Sequence, residues 1–188
     1  MRDLSLHLLD IVQNSISAGA DKIDVKICAD KANDRICIEI NDNGAGMDES
    51  FLKEVLSPFS TSRKTRRVGL GIPLLEAACT RADGGLDITS VRFKGTSVKA
   101  CFKISHIDRA PLGDVAQTMV NLIMGSPDID YEMELDNIKE SFRFSTAQIR
   151  QTLGEVPLVQ YEVMMWIKEY IDEGIKNIFG GLLDEIIG

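Results

Sequence analysis

Asp42-Asn43-Gly44-Ala45-Gly46-Met47 follows the apolar alternation Cys37-Ile38-Glu39-Ile40 in this 188-residue chain. The pattern reads as a strand opening into a glycine-bearing turn. Two glycines one residue apart let the backbone come close to a flat or charged ligand, because neither carries a Cβ. The preceding carboxylate offers a fixed acceptor to a donor on that ligand. A tight strand-to-loop turn accounts for the same six residues equally well, so the surrounding chain has to decide.

Before the turn, Leu4, Leu8, Ile11 or Val12, and Ile16 fall at helical spacing, and Gly19 follows the helix they predict over 4–17. Asp10 and Asn14 are four apart and project from one side of that helix. They read either as a solvent-facing polar pair or as a carboxylate and an amide aimed into a site. Ile23, Val25 and Ile27, then Ile36, Ile38 and Ile40, alternate as two strands joined at Lys31-Ala32-Asn33-Asp34. This predicts an antiparallel hairpin that delivers Asp42 at its end.

After the turn, a short helical piece at 49–56 leads into Ser57-Pro58-Phe59-Ser60-Thr61-Ser62, which has loop chemistry. Arg63, Lys64, Arg66 and Arg67 then place four bases within five residues. A basic loop beside glycines suits a phosphate-bearing ligand. Gly69-Leu70-Gly71 opens a helix over 72–82, and a helix start preceded by glycines presents free N–H groups and a positive dipole end to an anion. The Walker lysine and the third Rossmann glycine are missing, so neither nucleotide fold is supported. Strands at 86–93 and 96–104 meet at Lys94-Gly95. Beyond them come helices at 115–124, 145–153 and 160–179, and a strand-like alternation at 129–135.

Taken together these pieces resemble the GHKL ATP-binding superfamily, that is, DNA gyrase, Hsp90, histidine kinases and MutL. The resemblance covers residues 4–104. Leu9 to Ala20 is most similar to the MutL-type N-box, and Pro58 to Gly71 to the lid and glycine box of histidine kinases and anti-sigma-factor kinases. It implies an α/β, two-layer sandwich (the Bergerat ATP-binding fold) over 1–105, with a mainly helical C-terminal extension over 106–188 that carries an extra strand near 129–135. It implies that ATP binds with Mg²⁺, the metal held by Asn14 through the ATP phosphates. Asp42 would accept from the adenine amino group, with Gly44, Gly46 and Met47 against the base and Thr96 in support. Gly69, Leu70 and Gly71 would hold phosphates, and a lid base, Lys64 among them, would reach the γ-phosphate. Hydrolysing members carry Glu four residues before the Asn; here Asp10 stands there as candidate base, one methylene shorter. The implied activity is phosphorylation of a separate protein partner, as in stand-alone anti-sigma-factor serine kinases. The alternative is a slow ATPase or nucleotide-gated interaction module. His7 is not read as a phosphoacceptor.

Composition sets bounds. No apolar run reaches the length of a membrane span, and the start Met1-Arg2-Asp3-Leu4 lacks a signal-peptide pattern, so a cytoplasmic chain is expected. Residues 1–127 hold 16 acids and 16 bases, whereas 128–188 hold 13 acids and 5 bases. That acidic third does not suit nucleic acid. It reads as a solvated face, or else as a docking surface for a basic partner. A homodimer is compatible with all of this. Cys28, Cys37, Cys79 and Cys101 form no C-x-x-C pair and read as buried free thiols rather than a disulfide or zinc framework.

Overall fold

The computed structural model describes residues 3–55 and 70–180. Helix α1 (Leu4–Ser17) starts where the Asp3 carboxylate accepts from the Leu6 amide, and Gly19 at φ +74° turns the chain out of it. Strands β1 (Lys22–Asp30) and β2 (Arg35–Asp42) form the expected hairpin, in register from Ile23 opposite Asp42 to Asp30 opposite Arg35. A short α2 (Glu49–Val55) is followed, after residues outside the description, by α3 (Gly71–Arg81). Then come β3 (Gly85–Val91), β4 (Gly95–Lys103) and α4 (Val115–Gly125). The chain continues through β5 (Asp130–Asp136), β6 (Ser141–Ser145), α5 (Thr146–Leu153) and α6 (Tyr161–Phe179).

All six strands join one mixed sheet in the order β3-β4-β2-β1-β5-β6. The β1–β5 pairing is parallel and the others are antiparallel. Alternation sorts each strand into two faces. Ile23, Val25, Ile27, Ile36, Ile38, Ile40, Val98, Ala100, Phe102, Tyr131 and Met133 point inward and are buried under the helices. The opposite face carries a charge ladder, with Lys22 to Glu132 at 3.1 Å, Lys26 to Glu134 at 2.8 Å and Lys99 to Glu39 at 3.7 Å. This is the two-layer sandwich the sequence predicts.

Three expectations need correction. Strand β6 was absent from the sequence reading: Ser141-Phe142-Arg143-Phe144 is too short an alternation to register alone, and only its ladder with β5 makes it a strand. Cys37 and Cys101 are not free. They sit opposite each other in the β2–β4 ladder and are joined as a disulfide across 64 residues of sequence. Cys28 lies beside Cys37 in the β1–β2 register and is half-buried and unbridged. Cys79 is the fully buried thiol, and burial pushes its pKa up to about 12. Finally, the helix expected over 160–179 carries a wide run of apolar residues, Met164-Met165-Trp166-Ile167 with Tyr170-Ile171, and the structure splits it in two. Met164, Ile167 and Ile171 are buried, but Met165, Trp166 and Tyr170 face solvent, since the sheet accommodates only one stripe of the helix.

Candidate functional site

The hairpin ends with Asp42 opposite Thr96 of β4. The Asp42 carboxylate is held from three sides. Its Oδ2 accepts from Ser15 Oγ at 2.7 Å, and its Oδ1 accepts from the Gly44 amide at 2.9 Å and the Thr96 amide at 3.3 Å. A carboxylate has about four acceptor sites, so one stays open to a ligand donor. Thr96 Oγ1 lies 2.9 Å from Ser90 Oγ, which accepts from the Met47 amide at 2.8 Å. Adenine-site candidates Gly44 and Thr96 are therefore bonded directly to Asp42, Met47 joins them through Ser90, and Ser15 ties Asp42 to α1.

The turn is clasped on both sides. The Ala45 amide donates to Ala18 O at the end of α1, and the Phe93 amide in the β3–β4 turn donates to Ala45 O. Gly46 has φ +60°, and a Cβ there would sit 2.1 Å from Val91 O. Gly95, at φ +105°, would place a Cβ 1.8 Å from Asp42 O. Two backbones approach so closely here that only glycine fits.

Asp10 and Asn14 project from α1 one turn apart and are both half-buried. The start of α3 packs against them: a Cβ on Gly71 would lie 3.1 Å from Asp10 Cβ and 3.4 Å from its Oδ2. Leu70 at the cap supplies no side-chain acceptor to α3. Pro73 has no N–H, so the Gly71 and Ile72 amides are the donors aimed out of this helix end. The α1 edge with Asp10 and Asn14 thus meets a helix N-terminus able to receive an anion. Lys64 and Gly69, with the rest of the basic loop, lie outside the described residues.

Residues 2–106 match the family model described as histidine kinase-, DNA gyrase B-, and HSP90-like ATPase. The chain belongs to this ATPase family.

Among its relatives, the sensor histidine kinase YxdK of Bacillus subtilis is 30% identical over 106 residues, covering 53% of this chain and 32% of YxdK. The anti-sigma F factor of Clostridium botulinum is 34% identical over 105 residues, covering 52% of this chain and 66% of that protein. The chain spans only 13% to 32% of the length of the first curated relatives. In architecture it is similar to the N-terminal domain of a DNA repair protein, with a TM-score of 0.50, 19% identity, and coverage of 76% of this chain and 52% of that one. That likeness concerns the fold.

Within this ATPase family member, sequence reasoning missed Ser15 and Ser90. Ser15 directly follows Asn14, and its place four residues after Ile11, on the apolar side of the helix where the structure buries it, was the one available signal. Ser90 stands opposite Thr96 in the ladder, a relation fixed only once β3 and β4 are paired. A third unassigned group is His7, 4% exposed on α1, whose Nδ1 has no hydrogen-bond partner. Burial pushes its pKa down against the opposing pull of Asp10 and Asp3.

Proposed function

We propose that the protein binds Mg·ATP and transfers its γ-phosphate to a separate protein. The observation that carries this reading is the Asp42 carboxylate, pinned by Ser15 Oγ and by the Gly44 and Thr96 amides beside a glycine-lined turn. Such an acceptor, fixed in advance, recognises an exocyclic amino group at little entropic cost. The phosphates would run toward the Gly71 and Ile72 amides, and Asn14 would offer Mg²⁺ one hard oxygen, the remaining ligands coming from phosphate and water. The residues fit the metal in that respect: an amide oxygen suits Mg²⁺. Membership of the ATPase family and likeness to a sensor histidine kinase and an anti-sigma F factor support the kinase class. A cytoplasmic location accords with this class, and among the described residues no helix is long and apolar enough to cross a membrane.

One observation favours a second reading. Asp10 lies beside Gly71, close enough that a Cβ there would meet it at 3.1 Å, at the end of the site proposed for the phosphates, where a carboxylate within about 3 Å of a water would act as general base. The protein would then be a slow ATPase whose nucleotide state gates an interaction. Calorimetric titration with a non-hydrolysable ATP analogue, with and without Mg²⁺, tests both readings. Mg²⁺-dependent binding is expected, and no binding at millimolar nucleotide would overturn them. Label from γ-labelled ATP appearing on a partner rather than as free phosphate then selects the kinase.

A further inference from the structure

A concavity lies away from the nucleotide-site candidates, between β6, α5 and α6, with a volume of about 520 Å³. Phe144, Ile149, Leu153 and Val163 form its apolar lining. Its outer wall is an aromatic pair: Trp166 and Tyr170 stack at 5.1 Å and 8°, and Phe142 tilts against Tyr170 at 4.9 Å. Trp166 is 50% exposed. A soluble helix rarely leaves stacked Trp and Tyr in solvent beside an apolar groove unless something covers them.

Charge identifies what covers them. Glu162, Glu169 and Glu173 stand at i, i+7 and i+11 on α6, which places them on one stripe beside Trp166. All three are exposed. The neighbouring bases are engaged: Arg143 at the groove edge pairs with Glu134 at 3.1 Å, and Lys168 pairs with Asp172 at 2.7 Å and Asp114 at 3.9 Å. Lys176 stands beyond the groove on the helix. An apolar trough walled by aromatic rings, with Glu162 in its lining, Glu169 and Glu173 on the same helix stripe and its lining base Arg143 already paired with Glu134, fits an amphipathic helix of positive charge. Arginine or lysine also stacks on Trp and Tyr faces.

We propose that this groove docks a basic amphipathic segment of a partner protein. Its apolar side chains fill the trough, and its Lys or Arg side chains meet Glu162, Glu169 and Glu173 and lie over the Trp166–Tyr170 pair. Neither the groove nor its occupant depends on the nucleotide site.

Trp166 is the one tryptophan of the chain, so its fluorescence reports the groove directly. The full chain would be titrated with a synthetic Leu/Lys amphipathic peptide of about four helical turns and with its Leu/Glu counterpart. A saturable change with the Leu/Lys peptide alone is expected, weakened by added salt. Glu162→Lys with Glu169→Lys, both on the exposed stripe, should weaken it by about two- to twenty-fold, each exposed charge contact being worth about 1.4- to 5-fold, while circular dichroism stays unchanged. Equal response to both peptides, or unaltered affinity in the double variant, would overturn the proposal. So would a sedimentation shift to a dimer that shields Trp166, which would assign the groove to a second copy.

Discussion

At the scale of single residues, the site depends on what faces the Asp42 carboxylate. Its hydrogen bonds among the described residues all come from donors: Ser15 Oγ, the Gly44 amide and the Thr96 amide. Asp42→Asn keeps the shape but turns one oxygen into a donor facing donors. We expect ATP binding to weaken by about 1–3 kcal/mol, and unaltered calorimetric affinity would remove Asp42 from the adenine site. Ser15→Ala removes one of the three and should cost about 1 kcal/mol in binding. Asp10→Asn should abolish any turnover and spare binding; hydrolysis at the parent rate in that variant would discard Asp10 as base. His7 makes a separate prediction. Its folded pKa is depressed by burial, with the positive amino terminus and Arg81 of α3 adding to the depression and Asp10 of α1 and its cap Asp3 opposing. The unfolded chain, with the ordinary value of about 6.5, therefore takes up the proton first as pH falls. Stability is full above that value and is lost as pH drops below it. Thermal unfolding of the parent should fall more steeply between neutral and mildly acid pH than that of His7→Leu. Parallel curves would show that the imidazole titrates alike in both states.

At the scale of elements, β2 and β4 carry the site at one end and a covalent link five residues away. Asp42 opposes Thr96, and Cys37 opposes Cys101 in the same ladder. Closing a 64-residue separation limits the unfolded chain, and such links contribute about 2–4 kcal/mol. Cys37→Ser should lower the melting temperature, and a reductant should lower that of the parent to the same level without moving the variant. If reductant changes neither protein, the link does not form in solution. The helices, the hairpin and the glycine turn were legible in the sequence because their signals are local: spacing along α1, alternation in β1 and β2, glycine at positive φ. The disulfide was not legible, because nothing local says that β4 rather than β1 bridges to Cys37. Ser90 was hidden for the same reason. The exposure of Trp166 and Tyr170 was hidden too, since the periodicity of α6 shows a wide apolar side without showing how much of it the sheet can cover.

At the scale of the whole molecule, the family match ends at residue 106, yet the sheet does not. β5 adds to the edge of β1 in seven register positions from Lys22 opposite Asp130 to Cys28 opposite Asp136. Helix α4, fully beyond residue 106, buries Val115, Met119, Leu122 and Ile123 and packs on α1 and α6. The amides of Leu4 and Ser5, which open the N-box helix, donate to Pro111 O and Leu112 O. A fragment ending at residue 105 would uncover the inner faces of β1 and α1 and leave nine residues of β1 as an open edge. Long unprotected edges with one apolar face pair with one another. We expect fragment 1–105 to aggregate, or to keep secondary structure without a cooperative unfolding transition, whereas the full chain unfolds cooperatively. A soluble, monomeric fragment with a cooperative melt would place an autonomous domain boundary at 105. It would then leave the segment carrying the aromatic groove as an attachment rather than the other half of one core.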